Sequence, residues 1–371
     1  MEKRKPIRIA QVIGKWLGGG VEAVVMNYYR HIDREKIQFD FICDNDSTNI
    51  PYEEIEKLGG KVILVPPYQK VFEYQKQMIK VLREGGYKIV HSHINTLSVF
   101  PLRAAKKAGV PVRIAHSHST TNKVEWKKNL MKQALKPFAK VYPTDYFACT
   151  EHAGRWLFGN KEYDNGNVVV INNGIDVDAY AFNEETRVEK RKELKLKDTD
   201  IAIGHIGRFM KQKNHEFLID VFNELHKENT NYKLVLIGQG PLEEEMKQKV
   251  KELQIEDSVM FLGQKTDANK YYQAFDLFLF PSIYEGLGMV FVEAQAAALP
   301  SIASTEVPEI AKVTDRAYFI SLDENITIWT NKVKEVINQE RKVDIQKIKE
   351  AGYDIVTEAK KLESRYLELS K

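Results

Sequence analysis

The sequence predicts an α/β protein built from two parallel-sheet domains, and three features of the chain support that prediction. With 371 residues, the chain is too long for one ordinary hydrophobic core. Short apolar runs alternate with helical patterns along its length, which is typical of parallel sheets covered by helices on both faces. Each half opens with an apolar run, a glycine-containing loop and a helix. We therefore expect ligands to bind at the carboxyl ends of the strands.

The composition is that of a globular protein from a reducing compartment. Hydrophobic residues make up 43% and charged residues 29% of the sequence, and the formal net charge is only +3. That balance gives no global field that would attract nucleic acid. The two cysteines, Cys43 and Cys149, lie in or beside apolar runs and are expected to be buried thiols. The first apolar run is too short for a signal peptide, and no window approaches the ~20 apolar residues that span a bilayer. We therefore expect a cytoplasmic protein.

The first half is predicted to form seven strands. Its first strand, Ile7–Ile13, leads into the loop Gly14–Gly20 and a helix from about Val21 to His31. Backbone amides in such a loop can bind phosphate or sugar, although the spacing is not that of the G-x-G-x-x-G dinucleotide fingerprint. A loop that binds no ligand is the alternative. The other predicted strands are Ile37–Cys43, Lys61–Val65, Lys88–His91, Val112–Ala115, Tyr146–Cys149 and Val168–Ile171.

The second half repeats this alternation, and we place the domain boundary near Asp178. Its first strand, Ile201–Ile206, is followed by a loop and by a helix from His215 to about Lys227, with Asn214 as a plausible N-cap. The other predicted strands are Tyr232–Ile237, Val259–Leu262, Asp276–Phe280 and Ala317–Ile320. Further helices are predicted from Leu242 to about Leu253, from about Met289 to Ala298, and over Val356–Leu369.

The stretch from Asp276 to Glu309 is the most informative part of the chain. Its strand stops at a Pro-Ser pair, the turn Y-E-G-L-G follows, and a helix then begins. A strand, a glycine turn and a helix N-terminus together place backbone N–H groups around one point. Glu285 in the turn and Glu293 on the helix add two carboxylates, eight positions apart. This combination predicts a ligand site.

Two cations follow the first strand of the second half. Arg208 and Lys213 lie on one strand-to-helix loop, in the segment G-R-F-M-K-Q-K-N. A diphosphate leaving group must be neutralised as its bond breaks, either by a metal ion or by fixed cations. Arg offers a fork of N–H donors and Lys offers a point charge. The alternative is a pair of solvated side chains in a lysine-rich protein.

In the frame E-G-L-G-M-V-F-V-E-A, the two glutamates resemble the Glu-x7-Glu motif of retaining glycosyltransferase family 4. Members of that family build bacterial capsule, exopolysaccharide and lipid-linked glycans. The segment G-R-F-x-x-x-K-N resembles the family's donor-phosphate loop, and N-N-G-I-D at Asn172–Asp176 resembles its P-N-G-I-D segment. The resemblance implies the GT-B fold, in which two Rossmann-like domains face each other across a cleft. It places an acceptor-binding domain at 1–178, joined by a C-terminal helix (353–371) that crosses back to it, and a donor-binding domain at 179–352.

The resemblance also implies roles for individual residues. Glu293 would accept hydrogen bonds from the donor ribose, and Glu285 would lie near the hexose. Arg208 and Lys213 would neutralise the diphosphate, and His116, at the end of a first-half strand, would face the transferred sugar. Glycine-rich backbone would complete the donor site at Gly18, Gly19, Gly20, Gly207, Gly263, Gly286, Leu287 and Gly288. Neither a metal ion nor a cofactor is implied, since the nucleotide-diphosphate sugar is a co-substrate.

These roles imply an enzyme, a metal-independent retaining hexosyltransferase. It would move a hexose from a nucleotide-diphosphate sugar, in our expectation a UDP-sugar, to a glycan or lipid-linked acceptor in polysaccharide biosynthesis. Two other functions stay open: a nucleotide-sugar epimerase of the same architecture, and a non-catalytic partner in a polysaccharide assembly complex. The segment Ser304–Glu309 lacks the two glycines that many family members carry there, so the identity of the hexose stays open.

Three further patterns allow other interpretations. Two H-S-H triplets, His91–His93 and His116–His118, follow consecutive strands and could bind zinc, although no thiol or carboxylate completes the ligand set. Asp44–Asp46 and Asp176–Asp178 have the D-x-D form that binds cations in another glycosyltransferase fold, but we interpret both as turn and capping residues.

The segment 122–141 interleaves lysines with apolar residues, as in an ordinary surface helix or a helix that binds anionic membrane. Family members with lipid-linked acceptors often carry such a helix, so we expect peripheral membrane contact at the inner face of the membrane.

Overall fold

The computed structural model describes residues 5–118, 132–342 and 345–371. The chain divides into two compact units. The first unit contains the residues up to 175 together with 352–371, and the second contains residues 176–351. The sequence had placed these limits at 178 and at 353. Each unit is built around one parallel sheet.

The thirteen strands of the described residues all pair in parallel with their neighbours. The sheet of the first unit has the order β3-β2-β1-β4-β5-β6-β7, and that of the second unit β10-β9-β8-β11-β12-β13. The strands are β1 (Ile7–Gly14), β2 (Ile37–Asp44), β3 (Lys61–Val65), β4 (Ile89–Ser92), β5 (Val112–Ser117), β6 (Asp145–Ala148), β7 (Val168–Val170), β8 (Ile201–Ile206), β9 (Tyr232–Ile237), β10 (Val259–Phe261), β11 (Leu277–Phe280), β12 (Ser301–Ser304) and β13 (Ala317–Ile320).

Helices connect these strands. In chain order they are α1 (Gly20–His31), α2 (Tyr52–Lys57), α3 (Val71–Gly85), α4 (Val99–Ala108), α5 (Glu151–Phe158), α6 (Asn160–Asp164), α7 (Val177–Tyr180), α8 (Glu184–Glu193), α9 (His215–Glu228), α10 (Glu243–Glu252), α11 (Ala268–Ala274), α12 (Met289–Ala296), α13 (Ile326–Val336), α14 (Ile345–Glu350) and α15 (Ile355–Leu369).

The strand order of each sheet fixes where a ligand can bind. In the first unit β1 lies between β2 and β4, and in the second unit β8 lies between β9 and β11. At such a point the connections leave in opposite directions, so a crevice opens at the carboxyl ends of the central strands. The loops after β1, β4 and β5, and those after β8 and β11, therefore carry the candidate site residues.

The C-terminal helix α15 belongs to the first unit. A bridge pairs Ile175 with Asp354, and the Asp354 side chain caps α15 by accepting a hydrogen bond from the N–H of Thr357. The helix buries one stripe in the core beside α1 and β1, and the stripe consists of Ile355, Ala359, Leu362 and Tyr366. This spacing of three and four residues is that of one helix face. The predicted packing of the C-terminal helix on the first domain is confirmed.

The structure differs from the sequence-based expectation in two local details, although Asn214 does hold the predicted N-cap position. Strand β12, Ser301–Ser304, was not predicted, yet it pairs with both β11 and β13. Asn214 stands at the N-cap position of α9, but its φ is +56° and its side chain caps no N–H group. Its role is to turn the chain through the left-handed region, which asparagine tolerates better than most residues.

The remaining expectations concern burial and membranes. Cys43 and Cys149 are both buried and free, as predicted. Across residues 5–118, 132–342 and 345–371, no helix has both the length and the apolar character needed to cross a membrane. Of the predicted basic amphipathic segment 122–141, residues up to 131 lie outside the described residues. The described remainder includes one 3-10 turn, Lys136–Phe138.

Candidate active site

Two loops of the second unit are joined at the carboxyl ends of β8 and β11. The N–H of Ile283 donates to the carbonyl of Gln212 at 2.8 Å, and the Gln212 side-chain amide donates to the carbonyl of Tyr284 at 3.1 Å. Lys213 Nζ lies 2.7 Å from Glu285 Oε1. Because β8 and β11 are neighbours in the sheet, two residues far apart in sequence become one ion pair.

The Lys213–Glu285 pair is largely shielded from solvent. The two side chains are only 16% and 7% exposed, and Lys213 Nζ also lies 4.7 Å from the centre of the Phe280 ring. An aromatic face attracts a cation, so the ring and the carboxylate hold the ammonium in one place. An ammonium has three N–H donors, and Glu285 uses one of them. The others can bind oxygen atoms of an anionic ligand.

Arg208 lies on the same loop as Lys213 but is open to solvent. Its guanidinium has no hydrogen bond or ion pair with any residue that the structure describes. The backbone beside it is fixed, because the N–H of Gly207 donates to Ile237 at 2.9 Å and that of Phe209 donates to Gln239 at 3.2 Å. A rigid loop therefore presents an uncommitted forked cation.

Glu293 projects from α12 between two tyrosines. The hydroxyl of Tyr272, on α11, donates to Glu293 Oε2 at 2.9 Å, and the hydroxyl of Tyr180, at the end of α7, also bonds to this carboxylate. Burial raises the pKa of Glu293, while the two hydroxyls and the charge of Lys213 act in the opposite direction. The sequence analysis missed both tyrosines, since neither lies near the motif. The carboxylate is thus held in place and still has acceptor capacity for a ligand.

A side chain would be crowded or its backbone strained at three glycine positions around these residues. A Cβ on Gly207 would lie 3.1 Å from Lys213 Cγ. Gly263 and Gly288 have φ of +67° and +78°, and a Cβ on Gly288 would lie 3.1 Å from Val307 Cγ1. Left-handed backbone at close quarters strains any other residue. The predicted close approach of backbone therefore has a structural basis at these positions.

Two predicted donor-site residues in the same turn differ in exposure. Gly286 is exposed, whereas Leu287 is buried with only 5% of its surface exposed. The Leu287 side chain therefore belongs to the core, and only its backbone is available to a ligand.

Two buried histidines, His205 and His215, pack next to the loop that carries Arg208 and Lys213. His205 Nδ1 lies 2.8 Å from the carbonyl oxygen of Leu279, and the His215 ring stacks on Phe209 with 4.1 Å between ring centres. Burial lowers the pKa of His205 to about 4 and that of His215 to about 2, and the charge of Lys213 adds to both shifts. Both rings are therefore neutral at physiological pH. The sequence analysis did not single them out.

In the first unit, a side chain of the protein itself already binds part of the predicted glycine loop. Gly18 has a φ of +73°, Gly19 is the N-cap of α1, and a Cβ on Gly20 would meet no atom within 4 Å. The N–H of Leu17, however, donates to Glu22 Oε1 at 2.9 Å. A carboxylate of the chain itself thus satisfies part of the loop, and Gly20 offers the open approach.

His116 lies on β5 within a cluster of buried histidines. His91 Nε2 is 3.0 Å from His116 Nδ1, and His93 Nδ1 is 2.9 Å from His118 Nε2. Burial lowers the pKa of all four rings, that of His118 to about 3 and those of the other three well below the ordinary value of 6.5. The cluster is therefore neutral.

The two D-x-D patterns have structural explanations. Asp176 caps α7 by accepting a hydrogen bond from the N–H of Ala179 at 3.1 Å, and Asp46 pairs with Lys15 at 2.7 Å. Burial raises the pKa of Asp44 to about 6.

Asp44 and Asp46 line a cavity of about 480 Å³ in the first unit, together with Lys15, Glu22, Tyr68 and His93 among others. A mainly apolar cavity with a few polar groups of this kind can hold a hydroxylated ligand.

Comparison with known proteins identifies the family. The model of glycosyltransferase family 4 matches residues 18–179, and that of glycosyl transferases group 1 matches residues 186–354. The putative glycosyltransferase EpsF of Bacillus subtilis is 33% identical over 360 residues, which cover 94% of this chain and 93% of that protein. The chain belongs to the glycosyltransferases, with a family 4 domain followed by a group 1 domain.

Other relatives of this glycosyltransferase carry more specific names. The Escherichia coli UDP-Gal:alpha-D-GlcNAc-diphosphoundecaprenol alpha-1,3-galactosyltransferase is 25% identical over 310 residues, which are 80% of this chain and 79% of that one. The Anabaena protein HepE, solved in complex with UDP and glucose, aligns with a TM-score of 0.78 at 18% identity and covers 98% of this chain and 100% of its own. The predicted GT-B fold is confirmed, and so is the prediction that the protein is a glycosyltransferase.

Proposed function

We propose that this glycosyltransferase moves a hexose from a UDP-linked sugar to a lipid-linked or glycan acceptor, with retention of configuration and without a metal ion. The shielded Lys213–Glu285 pair beside the open guanidinium of Arg208 carries the proposal. A held ammonium and an uncommitted guanidinium on one loop can together neutralise a diphosphate, which is the task that a divalent ion performs in other enzymes. The second unit is then the donor-binding domain.

The donor nucleotide is held by Glu293 and by the backbone of the glycine loops. The oriented carboxylate of Glu293 accepts hydrogen bonds from the ribose hydroxyls, and the turn at Gly263 admits the base. Gly286, Leu287 and Gly288 contribute backbone to the sugar and phosphate. The UDP complex of HepE supports a uridine nucleotide, and the name of the Escherichia coli relative supports a UDP-hexose.

In the proposed step, the bond between the anomeric carbon and the β-phosphate oxygen breaks, and the electron pair stays on UDP. Arg208 and Lys213 stabilise the added negative charge. The acceptor hydroxyl oxygen bonds to the anomeric carbon on the face that UDP leaves, and its proton passes to a phosphate oxygen. Glu285 orients the hexose hydroxyls, and His116 stabilises the positive charge at the anomeric carbon through its ring or its carbonyl group.

The first unit is the proposed acceptor-binding domain. Its cavity of about 480 Å³ combines apolar walls with polar side chains that can bind sugar hydroxyl groups. The names of the Escherichia coli relative and of a Campylobacter jejuni relative, 28% identical over 198 residues, both include diphosphoundecaprenol. These names support a lipid-linked acceptor. The basic sequence of segment 122–141 supports peripheral contact with anionic lipid at the inner face of the membrane.

A thermal-shift panel of nucleotides and nucleotide sugars, with and without EDTA, tests the donor site. We expect stabilisation by UDP-series ligands that EDTA does not change and that Lys213→Ala abolishes. Lys211→Ala, an exposed lysine in the same 3-10 turn, is the matched control and keeps the shift. No shift with any nucleotide would overturn the donor site, and a shift lost in EDTA would overturn metal independence.

Two measurements separate transfer from the alternatives. Donor consumption that needs no acceptor would indicate an epimerase, and the absence of any turnover with a bound donor would indicate a non-catalytic partner. The anomeric configuration of the product, measured by NMR, tests retention. A product of inverted configuration would contradict the proposed step.

A further inference from the structure

A chain of hydrogen bonds runs from the C-terminal helix into the histidine cluster. Tyr366 on α15 is fully buried, and its hydroxyl lies 2.5 Å from His91 Nδ1. Gln11, in the middle of β1, donates from Nε2 to the same hydroxyl at 3.1 Å. Gln11 Oε1 lies 2.7 Å from His93 Nε2. One buried amide therefore contacts both branches of the cluster.

The branch through Tyr366 has a fixed direction. The hydroxyl accepts from Gln11, and its own hydrogen has no acceptor other than His91 Nδ1 among the described residues, so His91 Nδ1 accepts it. A neutral imidazole has one N–H group and one bare nitrogen, so His91 carries its hydrogen on Nε2. That N–H donates to His116 Nδ1 at 3.0 Å. His116 consequently carries its hydrogen on Nε2 as well.

The branch through His93 is fixed in the same way. Gln11 Oε1 can only accept, so His93 Nε2 carries the hydrogen and His93 Nδ1 is bare. His118 must then donate from Nε2 to His93 Nδ1 over 2.9 Å. His118 Nδ1 is therefore bare. If the Gln11 amide were reversed, every bond in both branches would reverse with it.

Both branches end on an atom without a partner. His116 Nε2 and His118 Nδ1 are buried and make no hydrogen bond with the residues that the structure describes. By the preceding steps the first is an N–H donor and the second is a bare acceptor. The two rings stack with 3.9 Å between their centres. A hydroxyl group, which both donates and accepts, matches such a pair.

We propose that Gln11 and Tyr366 are positioning residues that fix all four histidines in the Nε2–H tautomer. In this form His116 offers an N–H donor and His118 a bare nitrogen to the hydroxyl groups of a sugar ligand. The proposal rests on the proposed function in one respect, the placement of the transferred sugar at His116. Its structural part, the shared tautomer, does not depend on any substrate.

Burial and the competing metal site both bear on this proposal. All four rings have pKa values lowered chiefly by burial, so each has a single hydrogen to place. Nitrogen atoms of His91, His93 and His116 lie within 4.8 Å of one another, close enough to bind one ion. A metal on His116 Nδ1 would take the lone pair that accepts from His91. The complementary hydrogen bonds that already occupy both nitrogens of His91 and His93 favour the metal-free chain.

The first test uses the wild-type protein without any ligand. Long-range ¹H–¹⁵N correlation of histidine-labelled protein distinguishes the Nε2–H, Nδ1–H and doubly protonated forms, and single His→Gln variants assign the signals. We expect the Nε2–H pattern for all four histidines. An Nδ1–H or charged ring at any of the four positions overturns the proposal. A visible absorption band after adding one equivalent of Co²⁺, the probe for a metal site, also overturns it.

The second test separates the two branches. In Gln11→Glu the carboxylate can only accept, so the Tyr366 hydroxyl turns to it and accepts from His91. We expect His91 and His116 to change to Nδ1–H, while His93 and His118 keep Nε2–H. If the branches do not separate, Gln11 does not set the tautomers. If the variant does not fold, the wild-type spectrum still decides the question.

The third test links the tautomer to transfer. Tyr366→Phe removes the donor to His91 Nδ1, and we expect mixed tautomers at His91 and His116 with a kcat lowered about 10-fold, the size of one lost hydrogen bond. Tyr29→Phe is the matched control, since that buried hydroxyl of the same core bonds to Gln38 at 2.6 Å. Equal kcat losses in both variants would overturn the positioning role. If no transfer is found at all, the proposed function fails while the NMR result stands.

Discussion

The two units handle polar groups at the ends of their strands in different ways. In the second unit, Lys213, Glu285 and Arg208 are charged and lie on loops after β8 and β11. In the first unit, the ends of β4 and β5 carry four neutral histidines joined by hydrogen bonds. A charged diphosphate requires fixed charges nearby, whereas an uncharged sugar hydroxyl requires donors and acceptors of defined direction. The contrast agrees with the proposed roles of the two units, donor binding in the second and sugar or acceptor binding in the first.

The largest expected effect comes from breaking the charged region. Lys213→Ala should lower kcat/KM about 10²–10³-fold, because one cation on the leaving group is lost. It should also lower the free energy of unfolding by about 3 kcal/mol, since Glu285 stays buried without its partner. Transfer assays and urea unfolding measure the two effects.

A double variant sharpens that result. Lys213→Ala combined with Glu285→Ala removes the unpaired charge, so it should regain stability without regaining activity. Lys211→Ala should leave both quantities near wild type. If Lys213→Ala kept full transfer activity, the charged region would not bind the leaving group.

The charged region was easier to predict from sequence than the neutral one. Its residues belong to local motifs that follow apolar strands, and neighbouring parallel strands bring their loops together. Gln11 and Tyr366 lie 355 positions apart, and their contact depends on how α15 packs against β1. The polar Gln11 inside a buried strand was the one available signal. The tyrosines on Glu293 were missed for the same reason.

The fold itself was largely predictable because parallel strands buried on both faces appear as short apolar runs. Lys61–Val65 and Tyr232–Ile237 match the observed strands at both ends. Strand β12 was missed because two of its four residues are serines. The Ser304 hydroxyl donates to the carbonyl of Ser282, so the strand end satisfies its polar group internally. Composition alone could not show that.

The neutral histidines predict a loss of stability in acid. Burial lowers the pKa of His118 to about 3, of His205 to about 4 and of His215 to about 2. The unfolded chain binds these protons from about pH 6.5 downward, whereas the folded chain does not. Stability is therefore full above pH 6.5 and falls as the pH drops toward the folded pKa, by about 1.4 kcal/mol per pH unit for each histidine.

Urea unfolding at pH 7.5, 6.5 and 5.5 measures this dependence. A variant such as His205→Leu should reduce the slope below pH 6.5 by one proton, whatever its effect on stability at pH 7.5. Stability that stays constant down to pH 5.5 would show that the rings are not held neutral by the fold. That result would remove the contrast between the two units.

A smaller effect distinguishes the two glycine loops. Gly288→Ala should lower the free energy of unfolding by about 1–3 kcal/mol, because φ is +78° and the new Cβ would lie 3.1 Å from Val307. Gly20→Ala meets no atom within 4 Å and should leave stability unchanged. Thermal unfolding of both variants provides the comparison. Equal losses would mean that the turn at Gly288 is not strained by a side chain.

The smallest expected effect compares two tyrosine hydroxyls, one in each unit. Tyr272→Phe removes the donor to Glu293 Oε2, so the carboxylate is less firmly oriented toward the ribose. We expect KM for the donor to rise about 5-fold with kcat unchanged, as for the loss of an interaction made equally in the ground and transition states. Tyr366→Phe should instead lower kcat, because it acts through His116 at the reacting sugar.

The pH dependence of KM completes that last comparison. Losing the Tyr272 hydroxyl removes an interaction that lowers the pKa of Glu293, so this carboxyl should protonate at a higher pH in Tyr272→Phe than in the wild type. A protonated carboxyl has less capacity to accept hydrogen bonds from hydroxyl groups. The rise in KM should therefore grow as the pH falls, and it should be absent in Tyr366→Phe. A kcat loss in Tyr272→Phe would show that Glu293 acts in the chemical step rather than in nucleotide binding.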